Sequence, residues 1–179
     1  MHNDILKVLI SEEELKAKTA ELAAEISEYY KGRDLLVITV LKGSFIFAAD
    51  LMRALSIPAE IDFMVLSSYG ASSTTSGVVQ IRKDLDRDIK DAEILIVEDI
   101  LDSGLTLSYL KNMLIARGAK DVRICTILNK PARRKADIDA DYIGFDVPDE
   151  FVVGYGLDFA EKYRNLPYVG VLKREVYEK

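Results

Sequence analysis

One stretch of this chain concentrates groups that can do chemistry: Glu98-Asp99-Ile100-Leu101-Asp102-Ser103-Gly104-Leu105-Thr106. It follows the apolar run Ile94 to Val97 and leads into a segment with helical spacing of apolar residues. Asp102 to Thr106 therefore reads as a turn that opens a helix. Its amides and hydroxyls can hold a phosphate, and the helix dipole favours an anion there. Gly104 lets the backbone approach closely. An ordinary N-cap formed by Asp102 or Ser103 accounts for the same residues without a ligand. Glu98 and Asp99 point to opposite faces if they lie inside a strand, but both can line one mouth if the strand ends before them. Paired carboxylates at such a mouth suit the vicinal hydroxyls of a ribose or a magnesium ion. Two solvated acids on a rim are the plain alternative.

The rest of the composition narrows the chemistry. The 179 residues include one cysteine and one histidine, which excludes an internal disulfide and a cysteine metal cluster and argues against a Ser-His-Asp triad or a histidine-rich metal site. Cys125 lies in an apolar run and is expected in the core. His2 lies in a terminal segment expected to be mobile. The net charge of −6 disfavours nonspecific binding to a nucleic-acid backbone. No GxxxxGK loop is present, and Gly154-Tyr155-Gly156 lacks the third glycine of a dinucleotide fingerprint. The first residues lack the basic region and apolar core of a signal peptide, and no apolar run is long enough for a membrane span. A cytoplasmic protein without a membrane or nucleic-acid partner is expected.

The positioning elements follow from periodicity. Ser11 to Glu14 has the form of a capping box, opening a helix that runs to Tyr30 and is closed by Gly32. Leu35 to Leu41 reads as a strand buried on both faces. Helix is expected over Phe45 to Leu55, strand over Ile61 to Leu66, and strand over Val79 to Lys83. Ser67 to Val78 reads as a surface loop, a mobile lid or the tip of a β-arm. Strands are expected over Ile94 to Val97, Val122 to Asn129, Tyr142 to Val147 and Val169 to Leu172, with a helix from Leu105 to Arg117. This alternation predicts an α/β fold with a mostly parallel sheet flanked by helices, whose ligands sit beyond the carboxyl ends of the strands. The two chain ends are expected to pack together as a small lobe. The basic run Arg133-Arg134-Lys135 reads as solvated.

Glu98 to Thr106 resembles the phosphoribosyl-pyrophosphate (PRPP) signature of type I phosphoribosyltransferases. The wider set resembles the hypoxanthine-guanine phosphoribosyltransferase family: Leu41-Lys42-Gly43, Ser68-Tyr69, Leu128-Asn129-Lys130, Phe151 to Asp158, and Tyr163-Arg164-Asn165-Leu166, in the family's order. The resemblance covers nearly the whole chain. It implies one phosphoribosyltransferase domain over 1–179, with a core of roughly 34–147 and a hood made by the N-terminal segment and roughly 148–179.

The resemblance also implies roles. The family transfers ribose 5-phosphate from PRPP to N9 of a 6-oxopurine, releasing pyrophosphate. Asp102, Ser103, Gly104, Leu105 and Thr106 would hold the 5-phosphate. Glu98 and Asp99 would bind the ribose, partly through magnesium. Asp102 would act near purine N7 as general acid/base. Lys42, Gly43 and Arg164 would bind pyrophosphate, and Asp158 would coordinate magnesium to it. Lys130 would donate to the exocyclic O6, Phe151 would stack on the base, and the Val152 backbone would meet its edge. Ser68 and Tyr69 would close over the site. The Leu41–Lys42 peptide can be cis in the family. Ser103 and Leu105 stand where animal members have Thr and Lys; serine keeps the hydroxyl and leucine removes a charge. A homodimer or homotetramer is implied.

Two rivals remain open at this point. A relative using adenine, xanthine or orotate is opposed by Lys130 with Phe151-Val152, though less firmly for xanthine. A PRPP-sensing, RNA-binding regulator is opposed by the negative charge and by Asp102, Lys130 and Asp158.

Overall fold

The fold was obtained as a computed structural model that describes residues 1–68 and 79–178. In chain order the elements are β1 (Ile5–Ile10), α1 (Glu12–Tyr29), β2 (Leu35–Leu41), α2 (Phe45–Ala54), β3 (Ala59–Ser68), β4 (Val79–Lys83), β5 (Glu93–Leu101), α3 (Leu105–Ala116), β6 (Asp121–Asn129), β7 (Tyr142–Asp146), β8 (Val152–Val153), β9 (Val169–Leu172) and α4 (Arg174–Tyr177). Short 3-10 turns cover His2–Asp4 and Pro131–Arg133.

The continuous apolar runs form a six-stranded sheet of order β4-β3-β2-β5-β6-β7. All neighbouring pairs are parallel except β3 with β4 at the edge. Alternate residues of each strand serve opposite faces. Leu35, Val37, Leu95, Val97 and Cys125 share a cluster with Leu15, Leu22 and Ile26 of α1 and Phe47 and Leu51 of α2. Leu36, Ile38, Ile94, Ile96 and Ile124 share the other with Leu107, Leu110 and Leu114 of α3. Cys125 is fully buried, and burial pushes its thiol far up from its usual range. Fully burying one such aliphatic side chain contributes about 1.5–3 kcal/mol.

This two-sided packing sets the location of the site. From β2 the chain returns through α2 to β3 on one side. From β5 it returns through α3 to β6 on the other. The helices cover opposite faces, so the carboxyl ends of adjacent β2 and β5 diverge and leave a crevice. Lys42 and Gly43 follow β2, and Asp102 to Gly104 follow β5.

α1 begins as expected. The Ser11 side chain accepts from the Glu14 amide, and the Glu14 carboxylate accepts from the Ser11 amide. Ser11→Ala is expected to cost about 1 kcal/mol, read as a lower midpoint in thermal unfolding.

β1, β9 and β8 make a second, three-stranded antiparallel sheet that draws on both chain ends. The N-terminal segment is not loose as expected. His2 Nδ1 lies 2.8 Å from the Tyr168 hydroxyl, and the Tyr163 hydroxyl donates to Asp4 at 3.0 Å. β1 escaped notice because Leu6 and Val8 stay exposed, which blurs the period-two signal.

Two further expectations are corrected. β5 does not stop at Val97 but continues to Leu101, because Glu98, Ile100 and Leu101 still pair with Thr126, Leu128 and Asn129. The ladder needs only backbone groups and tolerates acidic side chains. Arg134 is not solvated: its side chain is 16% exposed. The segment read as a lid falls largely outside the described residues, Tyr69 included; Ser68 is the last residue of β3. Among the described residues no helix is long and apolar enough to cross a membrane.

Candidate active site

Two clefts open at the carboxyl ends of the strands. The first, of about 440 Å³, lies between the two sheets and is walled by Ile100, Asp102, Lys130, Phe151, Val152 and Leu157 among others. The second, of about 220 Å³, is bounded by Lys42, Gly43, Glu98, Ser103, Gly104 and Thr106. Ile100 and Asp102 line both. Asp102 therefore stands where a group bound in one cleft would meet a group bound in the other. Its Oδ1 is buried without a hydrogen-bond partner among the described residues, an arrangement that is costly unless a ligand uses it.

The turn after β5 is built for an anion. Gly104 is the N-cap residue of α3, with φ of 77°, and no side chain caps the helix. Neither Asp102 nor Ser103 makes the ordinary cap; Ser103 Oγ only accepts weakly from the Leu105 amide, at 3.4 Å. The first-turn amides thus keep their donor capacity beside the cleft. Leu105 is exposed.

The continuation of β5 changes the reading of the acids. Glu98 lines the second cleft, whereas Asp99 is buried against the α-carbon of Gly43. Only Glu98 lines that cleft, yet the two carboxyls lie near enough for each to act on the other. Burial pushes the Glu98 carboxyl well above its usual range, and the charge of Asp99 adds to this. Burial also raises Asp99, opposed in part by the Ile100 amide, which donates to it at 2.7 Å. Glu98 Oε2 has no partner among the described residues.

Around β2 the approach is close. The Leu41–Lys42 peptide is cis. A β-carbon at Gly43 would collide with the Asp99 carboxylate, and one at Gly156 would collide with the Gly43 carbonyl. Glycine at both positions lets the segment after β8 press against the loop after β2. Arg164 Nη1 donates to the Gly156 carbonyl at 2.8 Å, and its Nη2 pairs with Asp158 at 2.9 Å. Glu161 lies between the two cations, 3.0 Å from Lys42 and 3.5 Å from Arg164.

On the first cleft, Lys130 is only 5% exposed, and its ammonium donates to the Glu150 carbonyl at 2.9 Å. Burial lowers its pKa from the ordinary lysine value. Val152 is buried in β8, paired with Val171. Phe151 is half exposed rather than a core residue; one face of its ring stacks on Tyr177, with centroids 4.8 Å apart.

A model of the phosphoribosyl transferase domain matches residues 10–160. The hypoxanthine-guanine phosphoribosyltransferase of Bacillus subtilis (strain 168) is 57% identical, covering 99% of both chains. The chain belongs to the hypoxanthine-guanine phosphoribosyltransferase family. A crystal structure of hypoxanthine phosphoribosyltransferase from Staphylococcus aureus superposes with a TM-score of 0.97 at 47% identity, covering 100% of this chain and 97% of that one. The enzyme from Trypanosoma cruzi, as a mutant in a ternary substrates complex, does so with 0.93 at 39% identity, covering 98% and 99%.

Within this phosphoribosyltransferase fold, most of the described residues singled out from sequence fall into two groups joined by Asp102; Asp99, Leu105 and Arg164 line neither cleft. Lys130, Phe151 and Val152 line the first cleft, and Lys42, Gly43, Glu98, Ser103, Gly104 and Thr106 the second. Asp158 lines the first cleft and pairs with Arg164, whose charge also acts on Asp99. Sequence reasoning missed Ile100, which supplies an apolar wall to both clefts, and Leu157. The continued strand pairing that places Ile100 has no side-chain signature. It also missed Glu150, whose backbone carbonyl holds Lys130.

Proposed function

We propose that this protein is a purine salvage enzyme that transfers the 5-phosphoribosyl group of PRPP to N9 of hypoxanthine and guanine. The products are IMP or GMP and pyrophosphate. The observation that carries this reading is the placement of Asp102 between an uncapped helix N-terminus on one side and a buried ammonium, Lys130, on the other. The first suits the 5-phosphate and the second the O6 of a 6-oxopurine. Anchored at both ends, the substrates meet at Asp102. The purine N9 forms the new bond to C1 of the ribose as the bond from C1 to pyrophosphate breaks, with the electron pair leaving on pyrophosphate. Asp102 takes the purine proton at N7. Ile100 and Leu157 make the base cleft apolar around this exchange.

Magnesium belongs to this proposal. The donors present are hard carboxylate oxygens, and a cation beside Glu98 and Asp99 relieves the cost of two ionised carboxyls in a buried site. No group of three or more candidate ligands exists among the described residues; an ion that shares the substrate's phosphates needs only one or two carboxylates. Glu98 and Asp99 would hold it on the ribose side, and Asp158 on the pyrophosphate side. When bound, it neutralises charge on the leaving pyrophosphate. A cytoplasmic homodimer or homotetramer completes the proposal.

The test is nucleotide formation from PRPP and magnesium with hypoxanthine, guanine, xanthine and adenine supplied separately. Turnover of hypoxanthine or guanine with little of adenine is expected. Saturable PRPP binding with no turnover of any base would replace this reading with a regulator. Gly43→Ala, which forces Asp99 aside, is expected to lower kcat/KM for PRPP by roughly 10²-fold, measured in the same assay.

A further inference from the structure

The largely buried guanidinium of Arg134, 16% exposed, lies outside every role given above. Nη1 of Arg134 donates to the carbonyl of Asp102 at 2.7 Å and of Leu101 at 3.1 Å. Nη2 donates to Asn129 Oδ1 at 2.6 Å. Asn129 immediately precedes Lys130, and its Nδ2 donates to Asp146 at 2.7 Å. The neighbouring backbone extends the clamp: the amides of Lys135 and Ala136 both donate to the Ser103 carbonyl, at 2.9 and 3.1 Å. The Lys130 amide donates to the Leu101 carbonyl at 3.0 Å.

The carbonyls of three consecutive residues, Leu101, Asp102 and Ser103, are therefore held by the segment from Lys130 to Ala136. In a planar trans peptide the next N–H points opposite to the carbonyl. Fixing these carbonyls on one side turns the amides of Asp102, Ser103 and Gly104 to the other. Those residues line the second cleft. Gly104 tightens the fit: a β-carbon there would stand 2.6 Å from Ile138 and 3.2 Å from Arg134 Cδ. The nearest carboxylate to Arg134, that of Asp139, is 3.9 Å away and 90% exposed. That ion pair is long and screened by solvent, so it offsets little of the guanidinium charge beside the turn.

We infer that Arg134 is a positioning residue that locks the phosphate-binding turn and the base-binding lysine into one unit and aims the turn's amides at the anion. This rests on the proposed function for its kinetic consequences, though not for its structural ones. Lysine cannot replace it, because a single ammonium lacks the planar fork that reaches two carbonyls and an amide oxygen together.

The experiment uses the full chain with Arg134→Met, Arg134→Lys, Asp102→Asn and the double variant Asp102→Asn/Arg134→Met. Arg134→Met is expected to lower kcat/KM for PRPP by roughly 10²-fold, and Arg134→Lys is expected to recover little of it. Because Arg134 holds backbone carbonyls of the turn and not the Asp102 carboxylate, Arg134→Met is expected to weaken PRPP binding, read by direct titration, to a similar extent in the wild type and in Asp102→Asn. Amide hydrogen exchange gives a readout independent of turnover. In both Arg134 variants exchange at Lys130, Lys135 and Ala136 is expected to speed by about tenfold or more while the α1 and α3 amides keep their protection. Unaltered PRPP binding when Arg134→Met is added to Asp102→Asn overturns the inference, as do unchanged kinetics or unchanged exchange at those three amides. A uniform rise in exchange across the chain also overturns it, by reducing Arg134 to general stability. A wild type that turns over no purine, with exchange altered as expected, overturns the proposed function and leaves the clamp standing.

Discussion

Asp102→Asn lowers the turnover of hypoxanthine by about 10²- to 10⁴-fold, the range a positioned general acid/base supplies, while PRPP still binds. Asparagine keeps the size of the side chain and its carbonyl oxygen but cannot accept the N7 proton. The turn that holds the 5-phosphate is fixed by backbone carbonyls at Leu101, Asp102 and Ser103, which the substitution leaves in place. Binding and chemistry should therefore separate: KM for PRPP stays near the wild-type value and kcat falls. Steady-state kinetics with a direct PRPP-binding titration reads both. A rise in KM with kcat retained would show that Asp102 serves only to hold PRPP.

Lys130→Met removes the O6 donor and leaves a chain of similar length. A hydrogen bond to a charged group is worth about 1.5–3 kcal/mol, so kcat/KM for hypoxanthine and guanine should fall roughly 10- to 100-fold. Adenine places an amino group where the 6-oxopurines have O6, and a buried ammonium cannot donate to it. Its rate should not fall with the others, and discrimination between hypoxanthine and adenine narrows. Competition assays with the bases give the ratio directly; an unaltered ratio excludes Lys130 from base selection. Burial lowers the Lys130 pKa from the ordinary lysine value, so its proton is lost on the alkaline side earlier than from a solvated lysine. Preference for 6-oxopurines should therefore decline as pH rises, at lower pH than an ordinary lysine would require.

Much of the frame is legible in the residues. Leu35–Leu41 and Ile94–Val97 have no polar alternation, and only a strand covered on both faces accommodates that. The capping box at Ser11 and the left-handed glycine after α1 mark both ends of that helix without any tertiary information. The acids, hydroxyls and glycine from Glu98 to Thr106 point to phosphate and ribose because few other ligands want that mixture beside a helix start.

The remainder depends on contacts distant in sequence. β1 carries exposed apolar residues and takes its identity from β9, more than 150 residues later. β5 runs past Glu98 and Asp99 only because β6 supplies partners for it. This pairing sets Glu98 at the cleft and Asp99 against Gly43, with the two carboxyls still close to each other. Arg134 in a basic run looks like any solvated arginine; three oxygens gathered from Leu101, Asp102 and Asn129 hold it against the protein.

By itself, then, the chain determined which chemistry is present and which elements carry it, since propensity, periodicity and local capping act over a few residues. Only the tertiary structure decided that Asp102 belongs to both clefts, that Lys130 is desolvated against Glu150, and that one guanidinium ties the Asp102 backbone to the Asn129 side chain. Those outcomes are set by burial and by hydrogen-bond pairing across the sheet, and neither exists until the strands have met.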